Sequence, residues 1–575
     1  VVQNGPQGSV TSVFFRGGES DYVQVLVDGV QVNQPGGSFD FSGLTTEGVE
    51  RVEVVRGPAS ALHGSDAVSG VIHVITRDGA RASPAALVVQ GGSHGRMDGT
   101  LSLAGGGERA SYGVSLARYT GDGTLAFNNA HENSILSGKA ALRLDDATRA
   151  RISGRIAERR YHFPTDGSGA LVDRNQFTFA DESSLSVEVE RTLGDKVQLR
   201  ALASSYAVDG GTDDAPDGPA DTLGFFGFQS LDSYRRSAVD VRVNVSLAPG
   251  LTTTVGGEYE IQRVRSFNES LSEYGPSTGR SANDRGNRAG YLHLAGGRGA
   301  LSGNAGVRYE DNEAYGGFLS WQAGASWRVA GDFRVRAAAG RGIKEPTFFE
   351  TFATGFTVGN PSLEPEVSTS WEIGAEQTLL QGRVALQATW FQQRFRDLIQ
   401  YTFAPPAPGG SNYYNVAAAR ARGVEASASL ALGPWRLGVD GSWLDTEVTD
   451  AGFDEGEGAT FVQGEALLRR PTATMGLSLG WRPADALRLD VSARRTGSRW
   501  DRDFSDWPAA PVELSAYTRV DAGAEWTVLS PRGSRPGMDL LLRLENLGDA
   551  RYQEVFGFPA PGRAVMVGGR LSMAR

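Results

Sequence analysis

Alternation constrains this chain more than any other feature of it. Val239, Val241, Val243, Val245 and Leu247 alternate with Asp240, Arg242, Asn244 and Ser246. Leu185, Val187 and Val189 alternate with Ser186, Glu188 and Glu190. Leu487, Leu489, Val491 and Ala493 alternate with Arg488, Asp490, Ser492 and Arg494, while Leu136, Gly138, Ala140, Leu142 and Leu144 share one face opposite Lys139, Arg143 and Asp145. A period of two gives a strand one apolar and one polar face. The pattern dominates from Ala85 onward, in a chain of 575 residues with no apolar run of the roughly eighteen that a membrane helix needs. Such strands suit a tilted membrane wall, with hydrocarbon outside and a polar lumen inside.

Turns and loops punctuate the pattern. Short turns are predicted at Leu144-Asp145-Asp146-Ala147, Leu247-Ala248-Pro249-Gly250 and Trp481-Arg482-Pro483-Ala484-Asp485, and long loops at Asp209 to Gln229, Phe267 to Arg285 and Thr402 to Tyr413. Tyr206, Tyr259, Tyr309, Trp321, Trp327, Trp371, Trp390, Trp443 and Trp481 fall within or at the ends of alternating runs, as interfacial girdles require. A β-propeller would alternate too, but would repeat every ~40 residues, and no such repeat is present.

Composition excludes several functions. With no cysteine there is no disulfide framework and no thiol chemistry. The six histidines show no HExxH or paired spacing, so a zinc site is not expected. A net charge of −11 argues against nucleic acid as a partner. No GxSxG occurs and no Ser/His/acid set is suggested by spacing, so an enzyme is not expected.

The first eighty residues read differently. Val49 to Thr76 runs as strand, tight turn, short helix or loop, then strand, with apolar β-branched runs on either side of Arg56-Gly57-Pro58. Pro has no N–H and Gly accepts positive φ, so the ladder breaks there. Ser9 to Phe15 and Tyr22 to Val27 are strand-like, and polar loops follow at Gly17 to Asp21 and Asn33 to Asp40. Charge, Gly and Pro cluster from Arg77 to Pro84, which marks a boundary.

Val52-Glu53-Val54-Val55-Arg56-Gly57-Pro58 with Leu62 to Ala67, preceded by Phe14-Phe15-Arg16-Gly17 and Val25-Leu26-Val27-Asp28-Gly29-Val30, resembles the plug domain of TonB-dependent outer-membrane receptors. Gly359-Asn360-Pro361-Ser362-Leu363-Glu364-Pro365-Glu366 and Leu544 to Tyr552 are similar to barrel motifs of that family. The resemblance implies an all-β membrane protein: a 22-stranded antiparallel transmembrane β-barrel (84–575) around an N-terminal α+β plug (1–83). It implies a multi-pass protein of a Gram-negative outer membrane. The chain opens at Val1-Val2-Gln3 without a signal peptide, so we expect it to start inside the plug, the box that the inner-membrane TonB complex pulls lying outside it. The family's barrels usually end on an aromatic residue; Leu571 to Arg575 departs from that pattern.

Within the family the plug run, Leu467 to Pro471, Gly497 to Phe504 and Tyr414 to Glu425 are most similar to vitamin B12 (cobalamin) receptors. That likeness implies substrate contacts at Val10, Ser12, Glu19, Gly37, Ser38, Arg469 and Phe504. It implies Ca²⁺ held in extracellular loops by Asp166, Asp173, Asp209, Asp213, Asp214, Asp217 and Asp221, since clustered carboxylates suit a hard cation. The function expected is import of a scarce nutrient by movement of the plug, cobalamin first and a siderophore or haem as the alternative. A passive or adhesive barrel is the rival from another class. Partners expected are the TonB complex, the nutrient and membrane lipid, with the chain a monomer. Plug Arg16 and Arg56 are expected to pair with lumen acids such as Glu188 or Glu190.

Overall fold

A computed structural model describes the chain except residues 47, 80–82, 223, 356, 404, 408, 454–458, 460, 507 and 575. Twenty-two antiparallel strands close into one barrel, running from Ala85–Gly92 to Ala564–Ser572, and those two strands pair with each other from Ser572↔Ala86 to Met566↔Gly92. The wall alternates as predicted. Val239, Val241 and Val255 face outward, while Arg236, Glu260 and Gln262 face the lumen and are buried. No described helix is long and apolar enough to cross a membrane.

Inside lies the plug. Its four-stranded sheet has the order Val30–Gln31, Val23–Val27, Gly70–Thr76, Val49–Arg56. Val23–Val27 runs parallel to Gly70–Thr76, and Val49–Arg56 antiparallel to it. The central strand is buried along its whole length, hence its unbroken apolar character. Val23, Val25, Val27, Ile72 and Val74 pack with Tyr206 and Val208 of the wall, so plug and barrel share one core. Each such side chain contributes about 1.5–3 kcal/mol. The short helix Ser60–His63 follows Arg56-Gly57-Pro58 as expected.

The plug boundary is partly outside the described residues, at 80–82, as is the terminal Arg575. Three predicted connections differ. Phe267 to Arg285 is mostly strand: Leu251–Ser272 and Ser277–Arg298 pair up to Ser270↔Ser277 and leave a four-residue turn. Outside hydrocarbon both strand faces can be polar, so alternation fades while the backbone ladder continues. For the same reason the Asp209 to Gln229 loop shortens, with strand to Asp214 and again from Phe225. Trp481 to Asp485 is a bulged strand end rather than a turn, because the ladder to Leu487–Thr496 resumes at Ala484↔Leu487.

Arg16 pairs with Glu372 and, at 3.0 Å, with Glu425; Arg56 reaches Glu425 at 3.4 Å. Glu188 and Glu190 are not their partners. Glu188 instead joins Arg151 and Arg200 along the wall, and Glu190 lies 3.5 Å from Arg151. Alternation tells that a residue faces the lumen, but not at which point around the barrel.

Candidate ligand-binding site

The long loops gather at one end of the barrel and the plug loops rise toward them. Asn33 is fully buried and sets the loop that follows it. Its Oδ1 accepts from Val25 N–H at 2.6 Å, and its Nδ2 donates to Val23 O at 3.0 Å and Gly37 O at 3.2 Å. Gly36 has φ +68, and a Cβ there would lie 2.5 Å from Glu345 O, so only glycine fits beneath that loop. Gly37 N–H closes a turn onto Gln34 O at 2.9 Å and leaves Ser38 exposed. Val10 stands exposed between Gln3↔Thr11 pairing and the Asp40 carboxylate, which accepts from Thr11 N–H at 2.9 Å; Ser12 is half-buried next to it.

Glu19 binds Arg470 at 2.6 Å, and the Arg470 guanidinium sits 4.2 Å over the Phe14 ring. Its neighbour Arg469, at φ +59, points the other way, to Asp501 at 2.9 Å. Asp501 is fully buried and also accepts from Phe556 N–H at 2.8 Å. It anchors the hairpin of Arg499–Asp503 and Ala510–Leu514, whose tip presents Phe504, half exposed. Glu19, Arg469 and Phe504 are thus linked through Arg470 and Asp501. Gly37 and Ser38 belong instead to the loop whose Gly36 lies against Glu345 and Pro346.

A cavity of about 570 Å³ opens on the loop side of the lumen, a site the motifs did not indicate. Phe225, Phe228, Tyr234, Phe348 and Phe349 give it an aromatic wall, and Asp232, Asn268 and several serines give it polar atoms. The helix Phe348–Phe352 carries two of these rings. Thr347 and Glu350 start it with a reciprocal cap: Thr347 Oγ1 accepts from Glu350 N–H at 3.0 Å and Glu350 Oε2 from Thr347 N–H at 2.7 Å. That Thr-x-x-Glu spacing was the available signal. Arg285 lies 4.5 Å over the Phe348 ring and pairs with Glu345 at 2.5 Å.

Beneath the cavity, charge is buried. Lys344 lies within 3.3 Å of Asp21 and 3.4 Å of Glu350. Burial pushes Asp21 up to about 6, although Lys344 opposes this. Burial, helped by repulsion from Glu345, pushes Asp66 up to about 8. Glu345 is kept below its ordinary value: burial opposes its charge, but Arg285, Tyr315 and Ser65 outweigh burial.

The seven predicted calcium aspartates separate. Asp166 caps its own turn, accepting from Ser168 and Ala170 N–H groups; Asp209 pairs with Arg235 at 2.6 Å; Asp213 accepts from Gln229. Asp173, Asp214, Asp217 and Asp221 come together around Asn175, and burial, then the proximity of Asp173, pushes Asp214 up to about 7. Among the described residues no group of three or more His, Asp or Glu side chains is placed to hold a metal ion.

The family described as TonB dependent receptor-like, beta-barrel matches residues 100–547, and the TonB-dependent Receptor Plug Domain matches residues 1–71. Among solved structures, the ferric yersiniabactin uptake receptor FyuA from Yersinia pestis is 16% identical at a TM-score of 0.79, covering 100% of this chain and 93% of that one. The siderophore receptor PirA from Acinetobacter baumannii is 15% identical at a TM-score of 0.78, covering 100% and 94%. The FpvAI structure solved in complex with pyocin S2 is 14% identical at a TM-score of 0.77, covering 98% and 84%.

Proposed function

Because this chain belongs to the TonB-dependent receptor family, whose members are receptors and transporters and not enzymes, we propose that it imports a ferric siderophore through a Gram-negative outer membrane. The aromatic cavity above the plug carries this reading. An aromatic wall with few polar groups suits a flat, partly apolar chelate, and the similar structures named above include receptors for siderophores. The siderophore alternative is therefore better supported than cobalamin. TonB-driven movement of the plug, a monomeric state and lipid around the wall belong to the same proposal.

Ligand would settle between Phe348, Phe349 and the Ser38 loop. Contact there bears on Glu345 and Pro346, which touch Gly36 of the plug, so binding and plug position share atoms. Purified protein should show tryptophan-fluorescence quenching with at least one member of a ferric catecholate, hydroxamate and phenolate panel, and none with cyanocobalamin. Quenching by cyanocobalamin alone would restore the cobalamin reading. Calcium at Asp173, Asp214, Asp217 and Asp221 is a further proposal, one that requires these carboxylates to close around the ion, since as they stand no three of them are placed to hold it. Terbium luminescence should appear on titration and vanish in Asp214→Asn; silence in the unsubstituted protein would dismiss the ion.

A further inference from the structure

Outside the barrel, one sector of the wall carries charge that import does not use. Ala337, Ile373, Trp390, Val424 and Trp443 stand in register across five consecutive strands and face lipid. One rung toward the loops, Trp371 opposes Gln392, then Arg422 and Asp445. The next outward rung reads Arg341, Thr369, Arg394, Arg420, Glu447. Arg396 stands one rung higher, opposite Val367.

Three tryptophans therefore mark the hydrocarbon edge, and five arginines sit directly beyond it, at head-group depth. Arg420 pairs with Glu447, and Arg422 with Asp445 at 2.7 Å. Arg341 only reaches Leu319 O, at 3.4 Å. Arg394 and Arg396 are exposed and have no ion pair among the described residues. Arg394 directly opposes Arg420, an unfavourable placement unless an anion lies between them. Against these five arginines stand Glu447, Asp445 and the exposed Asp397, so arginine remains in excess.

We propose that this sector holds the phosphate groups of an outer-leaflet lipid. Guanidinium forks match phosphate oxygens in pairs, and the tryptophans below present apolar rings to the acyl chains. The inference rests on the outer-membrane placement proposed above.

The test is native mass spectrometry and lipid titration of the whole chain in phosphatidylcholine vesicles containing diphosphoryl lipid A. One variant carries Arg341→Gln, Arg394→Gln and Arg396→Gln. A control carries Arg118→Gln, Arg160→Gln and Arg495→Gln on other strands. Bound lipid A should weaken about fivefold for each sector arginine lost, and stay within about twofold in the control, whose loss is equal in charge. Equal weakening in both variants would reduce the effect to overall charge and overturn the proposal. So would equal retention of dephosphorylated lipid A, or full displacement by inorganic phosphate, which would make this a free-anion site. Heat-modifiable gel mobility reports whether each variant is folded. Ferric-siderophore quenching reads the lumen, so its loss with lipid binding intact would count against the transport reading alone.

Discussion

Asp66 is fully buried at φ +70, accepting from Glu345 N–H at 3.2 Å and from Gln31 at 3.4 Å. Its folded pKa is raised to about 8 from an ordinary 3.8. The folded state thus binds the proton more tightly, and the stability this contributes is complete below about pH 4 and is lost as pH rises to about 8. Hydrogen exchange of the amides at 60–69 should therefore quicken between those limits. Asp66→Asn, which tolerates positive φ and cannot ionise, should flatten that dependence; an unchanged slope would place the titration elsewhere. Individual residues were legible only through motifs. Glu19 and Arg469 were singled out that way; Arg470 lies in the same Leu467 to Pro471 stretch, but nothing local in the sequence pairs it with Glu19, or Glu345 with Arg285.

At the scale of elements, the plug is latched where Arg16 meets Glu372 and Glu425. Arg16 is 4% exposed in its side chain, so stranding it is expensive, by about 3–5 kcal/mol. Glu372→Ala with Glu425→Ala should release the plug at lower urea than the barrel, seen as early protease cutting near Gly57; co-melting of the two would refute the latch. The helix Phe348–Phe352 makes the second case. Phe349→Ala should weaken ferric-siderophore binding about tenfold, with no change in barrel melting, as titration would read. Strand existence was plain from alternation, and the helix was encoded in its Thr347 and Glu350 cap. The arrangement around the lumen was not legible, because a two-residue period carries no azimuth. That is why Glu188 was paired with the wrong partner.

For the molecule as a whole, closure depends on the ladder between Ala85–Gly92 and Ala564–Ser572. Val567→Pro removes an N–H from a paired strand and should abolish the fast-migrating band of unheated samples on a gel. The barrel and its plug followed from the sequence because period and motif are local. Its height did not, since outside the bilayer polar hairpins obey no alternation. Phe225–Ala248 has 24 residues, and the two strands after it 22 each, where a crossing takes ~9–11. The strands flanking the closure have only 8 to 10. The strand ladder therefore stands tallest along one arc, while between the short strands of the other the chain runs on into separate hairpins, Arg499–Asp503 with Ala510–Leu514 and Gln553–Val555 with Phe558–Pro559. A visitor from the medium thus meets a continuous palisade on one flank and jointed pieces on the other.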